Sequence, residues 1–247
     1  MESKWHEVWN AKTSDVEKIQ QMSFSEKFLE LKRLNGFDVV GGGIKYDAFC
    51  KQYQDTKRML VIETEARIQH AIKSVFEVGC GSGANLFMFE NDGYRTGGID
   101  FSESLIATAQ NVLASDDLVC DEAINMDSAK RYDVILSNSV FSYFPDLAYT
   151  EQVLKKCLDK GNYAIGLMDI HDIEKKDDFI AYRKREIENY EERYRGLPKL
   201  FYKKEFFSVF AAENDMDITF LPSKVEGYWN NDFIFNVFMY KKDIKIG

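Results

Sequence analysis

The sequence predicts an α/β fold: a mostly parallel sheet with helices on both faces, preceded by a helical cap and completed by an antiparallel strand. Three observations carry this. Short β-like runs alternate with helical patterns from residue 75 to residue 168, the signature of βαβ units. The first run ends in three alternate glycines, Gly79, Gly81 and Gly83, which suit a strand that turns sharply into a helix. The last two β-like runs, 218–221 and 233–240, are joined by a loop of a length that suits an antiparallel return.

In chain order, residues 1–74 read as helical. Phe24, Phe28 and Leu31 fall at helical spacing within 14–34, and Asn35-Gly36 supplies a stop. Gly41-Gly42-Gly43 is a strong breaker and a candidate hinge. A second long helix is expected over 46–73. Strands follow at 75–78, 95–100, 118–120, 132–137 and 163–168, with helices at 84–90, 102–114 and 148–158. In the charged stretch 172–195, Ile180, Ile187, Tyr190 and Tyr194 share one helical face. Another helix is expected over 203–214. The run 233–240 is nearly all apolar, as a strand covered on both faces would be. The expected organisation is a cap (1–74) and a seven-stranded core (75–247) carrying a helical insert at about 172–200.

Composition narrows the partners. The 247 residues are 45% apolar and 30% charged, which fits one large globular domain or a domain with a cap. No apolar run approaches a membrane span. The start, MESKWHEVWN, lacks a basic region followed by an apolar one, so no secretory signal is expected. A net charge of −9 argues against a broad nucleic-acid surface. Cys50, Cys80, Cys120 and Cys157 form no close pair, and the three histidines His6, His70 and His171 are scattered. No metal site is expected, and a cytoplasmic location with reduced thiols is the simplest expectation.

The segment Glu77-Val78-Gly79-Cys80-Gly81-Ser82-Gly83 is the most informative. Its glycines let a ligand approach backbone N–H groups. Asp100 lies 21 residues after Gly79, at the end of the next strand, where a carboxylate can accept hydrogen bonds from two ribose hydroxyls. Two adenosine-bearing ligands compete for such a site. With Ala84 in third place, residues 79–84 satisfy a dinucleotide fingerprint. Three features favour S-adenosylmethionine (SAM) instead: Glu77 before the glycines, the acidic pair Asp121-Glu122 after the third strand, and the antiparallel closing strands.

Taken together, E-V-G-C-G-S-G, the segment Gly98-Ile99-Asp100-Phe101-Ser102 and the run Arg131-Tyr132-Asp133-Val134-Ile135-Leu136-Ser137-Asn138 resemble the motifs of class I SAM-dependent methyltransferases. The resemblance runs from about Val75 to Tyr240 and implies a Rossmann-like core. By that resemblance Gly79, Gly81 and Gly83 line the methionine and ribose of SAM, and Glu77 orients its amino end or the loop. Asp100, with Phe101 beside it, holds the ribose. Asp121, with Glu122 as its rival, meets the adenine, and Ser137 and Asn138 back the sulfonium side.

The acceptor side departs from the family pattern. Many small-molecule members place a histidine just after the fourth strand; here that region holds Ser142 and Tyr143. His171, after the fifth predicted strand, is the candidate base, with Asp169 or Asp172 to orient it and Tyr143 in reserve. The alternative for His171 is a surface position at a helix start. No N/D-P-P-Y/F motif of nucleic-acid amine methylation occurs. The segment Lys4-Trp5-His6-Glu7-Val8-Trp9 is similar to leaders that fold over the cofactor, which places Trp9, with Tyr46, near the acceptor. The insert balances seven basic against eight acidic residues over 172–195, as a solvated helix would; the sharper expectation is that Tyr182 or Arg183 reaches in to hold an anionic acceptor. The function expected is methyl transfer from SAM to an oxygen or nitrogen of a small polar metabolite, such as a sugar or phosphorylated intermediate of surface-polysaccharide or secondary metabolism. An NAD-dependent oxidoreductase and a catalytically silent SAM-binding protein are the alternatives.

Overall fold

The computed structural model describes residues 4–39 and 42–242. Met1 to Ser3 of the leader and Gly41 of the candidate hinge lie outside the described residues. Seven strands form one sheet: β1 (Ser74–Val78), β2 (Arg95–Asp100), β3 (Leu118–Cys120), β4 (Tyr132–Asn138), β5 (Gly161–His171), β6 (Met216–Pro222) and β7 (Ile234–Lys241). Their spatial order is β3-β2-β1-β4-β5-β7-β6. β7 runs antiparallel to both β5 and β6, and the other neighbours are parallel. This is the expected Rossmann-like sheet. The strand order reverses between β1 and β4, so the crevice for a ligand opens at their carboxyl ends.

Alternate residues of the strands feed two apolar layers. Val75, Val134, Leu136 and Phe238 face one; Phe76, Val78, Ile135, Ile165 and Val237 face the other. The first layer is completed by the cap. Helices α1 (Lys4–Asn10), α2 (Val16–Gln21), α3 (Phe24–Leu34), α4 (Tyr46–Lys57) and α5 (Glu63–Ile68) precede β1. Phe28, Leu31, Phe49, Leu60 and Val61 from this region are fully buried against the sheet. The cap is therefore one wall of the core. The second layer is covered by α8 (Leu147–Lys160) and α11 (Lys204–Glu213), through Val153, Leu154 and Phe207.

The expected helix 14–34 is two helices. Ser23 stops the first and caps the second, its side chain and that of Glu26 satisfying each other's backbone N–H. The expected helix 46–73 is interrupted by a π-helical turn, Arg58–Ile62, and ends at Gln69 in a left-handed conformation. The Tyr240 hydroxyl donates to the Met59 carbonyl at 2.8 Å within that turn. The insert is not one helix either. A 3₁₀ turn (Ile173–Lys175) leads into α9 (Lys176–Glu186), and Asn189 at φ 54° breaks the chain before α10 (Tyr190–Arg193). Its apolar spacing belongs to packing of single residues on the loops below, such as buried Phe179 against Phe201 and Phe233. Helices α6 (Ala84–Asn91) and α7 (Glu103–Val112) follow β1 and β2 as expected. No helix among the described residues is long and apolar enough to cross a membrane.

β5 is longer than the sequence suggests, because a bulge between Leu167 and Ile170 hides its continuation. Asp169 sits in that bulge at φ 60°. His171 is thus the last residue of the strand, paired with Ile234, rather than a residue after it. At the far end of the sheet, Gly97 gives up its β-carbon space to the Tyr132 hydroxyl, which donates to the Thr96 carbonyl and to Asp117. Tyr132→Phe leaves that buried carbonyl one partner short, and is expected to lower unfolding stability by about 1–2 kcal/mol. Denaturant titration checks this; the midpoint should fall with the slope unchanged.

Candidate active site

The loop after β1 is fixed by its neighbour. Gly79 and Cys80 donate their N–H groups to the Ile99 carbonyl, at 2.7 and 3.1 Å. The Asp100 carboxylate accepts from Gly81 N–H at 2.9 Å and from Ser102 N–H at 2.8 Å. Burial pushes its pKa up to about 6 against the pull of these two N–H groups. Gly79, Gly81 and Gly83 have φ of 70°, 55° and 83°. A β-carbon on each would strike Val140, Asn35 and Leu113 respectively. The space their missing side chains free is filled by this chain, which adds a packing reason to the turn expected from the sequence. Asn35, read from sequence as a helix stop, accepts from Ser82 N–H and Ser82 Oγ, both at 2.8 Å. The cap thus braces the glycine loop.

Glu77 is buried, and its Oε1 accepts from Asn85 Nδ2 at 2.6 Å. Asn85 Oδ1 accepts in turn from Lys32 Nζ at 2.8 Å. Lys32 is buried as well, over the rings of Phe28, Phe37 and Phe49. Burial pushes Glu77 up and Lys32 down, and their mutual attraction opposes both shifts. Glu77 Oε2, Asp169 Oδ1 and Gln52 Nε2 are buried without a hydrogen-bond partner.

Beyond β2, Phe101 meets the His6 ring edge-on at 4.3 Å. His6 Nε2 lies 2.6 Å from Glu122 Oε1, and Tyr149 donates to Glu122 Oε2 at 2.9 Å. Asp121 is exposed and accepts from its neighbours Glu122 N–H and Asn125. Of the two acids, Glu122 is the one tied to the rings at this edge.

On the other side of the crevice, Ser137 is buried and its hydroxyl donates to the Val78 carbonyl at 2.9 Å. It joins strands, whereas the expectation gave it to the ligand. Asn138 is half-buried and its Oδ1 accepts from Ser139, which also donates to Asp169 at 2.6 Å. Asp169 accepts further from Tyr228. Asp172 caps the N–H of Glu174. Neither aspartate orients His171, contrary to expectation; Nε2 of that ring lies 3.4 Å from Asn230 Nδ2, and its Nδ1 has no partner. His171 is buried, not at the surface, between Phe179 and Phe201. Burial, then the charges of Lys199 and Arg183, push its pKa well down.

Tyr143 meets Trp5 and Trp9 edge-on, at 4.7 and 5.6 Å. Trp9 fits against Gly36, and its carbonyl accepts from Ser102 Oγ. Trp5 Nε1 donates to the Pro198 carbonyl at 2.8 Å. Helix α1 therefore bridges the end of β2 and the insert. Lys199 Nζ lies 4.0 Å from the Tyr143 ring centroid, and burial and Arg183 push its pKa down to about 7. Arg183 donates to the Tyr194 hydroxyl at 2.7 Å and lies over Trp229. Tyr182 stacks on the same Trp229 at 5.4 Å. Tyr46 packs on Phe28, its one ring partner among the described residues, and not beside Trp9 or Tyr143. Sequence reasoning missed Lys32, Asn35, Lys199, Tyr228 and Asn230, which sit in segments without any motif.

A family model described as a methyltransferase domain matches residues 76–163, the stretch that contains the glycine loop, Asp100 and β4. This stretch, less than half of the chain, is similar to that family. The comparison agrees with the class I SAM-dependent resemblance. The chain is 30% identical over 111 residues to a malonyl-[acyl-carrier protein] O-methyltransferase of Bacillus cytotoxicus, 42% of this chain and 38% of that one. It is 25% identical over 117 residues to the enzyme of the same name from Priestia megaterium, 46% of this chain and 43% of that one. The matches thus span about two fifths of these curated relatives. Among solved structures, the plantazolicin methyltransferase BpumL with S-adenosylhomocysteine (SAH) superposes with a TM-score of 0.58 at 17% identity, over 97% of each chain. Magnesium protoporphyrin IX methyltransferase from Synechocystis PCC 6803 with bound SAM gives 0.57 at 15% identity, over 93% of this chain and 98% of that one. The sheet and the cap thus share one overall fold with these structures.

The wall that carries Lys199 has a stability signature. Burial disfavours the Lys199 ammonium, so the folded protein binds fewer protons there than the unfolded chain between about pH 7 and the ordinary lysine range. Stability due to this group therefore rises with pH across that window. Lys199→Met should melt higher than wild type at pH 7, and the difference should shrink towards pH 10. Calorimetry at both pH values checks this.

Proposed function

We propose that the protein binds SAM at the carboxyl ends of β1 and β2 and transfers its methyl group to an oxygen or nitrogen of a small polar acceptor. The observation that carries this reading is Asp100: a buried carboxylate beside the glycine loop, placed by two backbone N–H groups and with lone pairs left for ribose hydroxyls. The residues present fit the cofactor at its other end too. Glu77 Oε2 and Asp169 Oδ1 are unpartnered acceptors that suit an ammonium. Gln52 Nε2, an unpartnered donor, and Lys32 suit a carboxylate. Phe101, His6 and Glu122 stand where the adenine would lie, with Asp121 outside them. When bound, SAM supplies an electrophilic methyl carbon on a sulfonium.

The protein's part is alignment and exclusion of water. Trp5, Trp9 and Tyr143 wall the acceptor side, and α1 spans it. Burial raises the Tyr143 phenol, which makes it a poor proton acceptor at neutral pH. His171 is neutral at pH 7, but its lowered pKa leaves it a weak base. Its role is to present a polar edge to the acceptor alongside Asn230. Arg183, rather than Tyr182, reaches the acceptor side. The names of the curated relatives, which act on a malonyl group, support oxygen as the receiving atom.

SAH should raise the melting temperature by mass action. Asp100→Ala should remove most of that rise; unchanged SAH affinity in this variant would sink the assignment of the ribose site. His171→Asn should lower kcat by less than about tenfold, because a general base would contribute about a hundredfold or more. Steady-state rates with labelled SAM read this out.

A further inference from the structure

Resting on the methyltransferase reading above, we propose that the acceptor is a carboxylate, held by Lys199 and Arg183 over the Tyr143 ring and methylated on oxygen. The segment that carries Lys199 is built into the crevice wall. Leu200 N–H donates to the Ser142 carbonyl at 2.8 Å, Tyr202 donates to the Phe141 carbonyl at 2.8 Å, and the Pro198 carbonyl accepts from Trp5. Lys199 is held 4.0 Å from the Tyr143 centroid and 5.3 Å from the Trp5 centroid. Its hydrogen-bond acceptor is the neutral Ser142 hydroxyl at 3.2 Å.

Arg183, on α9, lies over the rings of Tyr194 and Trp229. The next two residues of α9 are also basic and each finds an acid: Lys184 pairs with Glu191 and Arg185 with Glu186, both in solvent. Arg183 turns inward to a neutral phenol. Neither Arg183 nor Lys199 forms an ion pair with a carboxylate among the described residues, in a chain with 41 acidic and 32 basic residues. The charge of Arg183 disfavours that of Lys199, and an anion held by both would relieve the repulsion. Burial lowers the pKa of Lys199 first, and the charge of Arg183 adds to it.

A second observation points to the same place. His171 and Asn230 are 5% and 4% exposed, and His171 Nδ1 and Asn230 Oδ1 have no partner. They extend the wall as neutral polar groups. The rest is aromatic: Phe179 and Phe201 flank His171, and Trp5 and Trp9 flank Tyr143. Such walls suit a flat, singly charged group with an apolar body.

The chemistry closes without a base. A carboxylate oxygen bonds to the methyl carbon as the carbon–sulfur bond breaks, and the electron pair of that bond passes to sulfur. One negative and one positive charge become a neutral methyl ester and neutral SAH, and no proton is released. The ester no longer attracts Lys199 and Arg183, which favours its departure.

The test uses the full chain saturated with SAH. Calorimetric titration with a panel of aliphatic and aromatic mono- and dicarboxylates, with malonamide and with inorganic phosphate reads the anion preference. Carboxylates of the panel should bind at least about tenfold more tightly than the amide, and Lys199→Met and Arg183→Met should each remove that margin. Retained SAH affinity shows that the variants are folded; Lys199→Gln and Arg183→Gln serve if it is lost. With labelled SAM and the same acids, the product should release its label as volatile methanol in alkali, as an ester does and an ether or methylamine does not. Equal binding of amide and carboxylate, preference for phosphate, unchanged affinity in both variants or an alkali-stable product overturns the proposal. Failure of the wild type to bind SAH overturns the methyltransferase reading itself, whereas SAH binding without any response to carboxylates overturns the acceptor alone.

Discussion

The crevice depends on one buried carboxylate. Asp100 grips the N–H of Gly81 with one oxygen and that of Ser102 with the other, so the turn after β1 and the turn after β2 are set against each other. The N–H of Ser102 belongs to the cap of α7, and Gly83 lets α6 begin against Leu113 just beyond the end of that helix. Two helices, two strand ends and the glycine loop are therefore placed by a group whose burial raises its own pKa. An ionised side chain in that position is costly to desolvate, and the two N–H groups offset part of that cost.

The cap shows how binding and folding are joined here. Asn35 closes the glycine loop from below, Lys32 meets Glu77 through Asn85, and Trp9 lies between Gly36 and Tyr143. Each contact connects a residue of the cap with one of the crevice. The buried apolar side chains of the same helices cover one face of the sheet. Residues that stabilise the fold and residues that shape the crevice are thus neighbours on one helix, with Leu31 one position before Lys32.

Much of this was legible in the sequence, for identifiable reasons. Strands β2 and β3 follow the sequence reading residue for residue, β2 over 95–100 and β3 over 118–120. The glycine loop and Asp100 announce themselves through a fixed spacing that the sheet imposes. The breaks were not legible where the pattern continued across them: the π turn at Arg58–Ile62 keeps burying Leu60 and Val61, so the helical spacing reads through it. The bulge at Asp169 reverses the in-and-out alternation of β5 and so concealed its last residues. The wall around Lys199 was largely illegible. Lys199 and Asn230 are brought to His171 and Tyr143 by loops, and Lys199 stands 28 residues from His171 with no periodicity to link them. Tyr182 and Arg183 were legible only as two neighbours, and both meet Trp229, Tyr182 by stacking and Arg183 through its guanidinium.

The position of β7 has a consequence for how the molecule comes into being. It lies between β5 and β6, both of which precede it in the chain, and its residues Ile234 to Tyr240 are all buried. Until residue 241 has left the ribosome, β6 has no strand to pair with and β5 lacks its second neighbour. The apolar side chains of Leu167 and Phe207 wait uncovered for the same interval, with Phe207 close to the Phe235 ring only when the sheet is complete. A nascent chain in this state exposes a bare sheet edge beside apolar surface, the combination that chaperones recognise. β7, the last of the seven strands in chain order, is the one that seals the sheet.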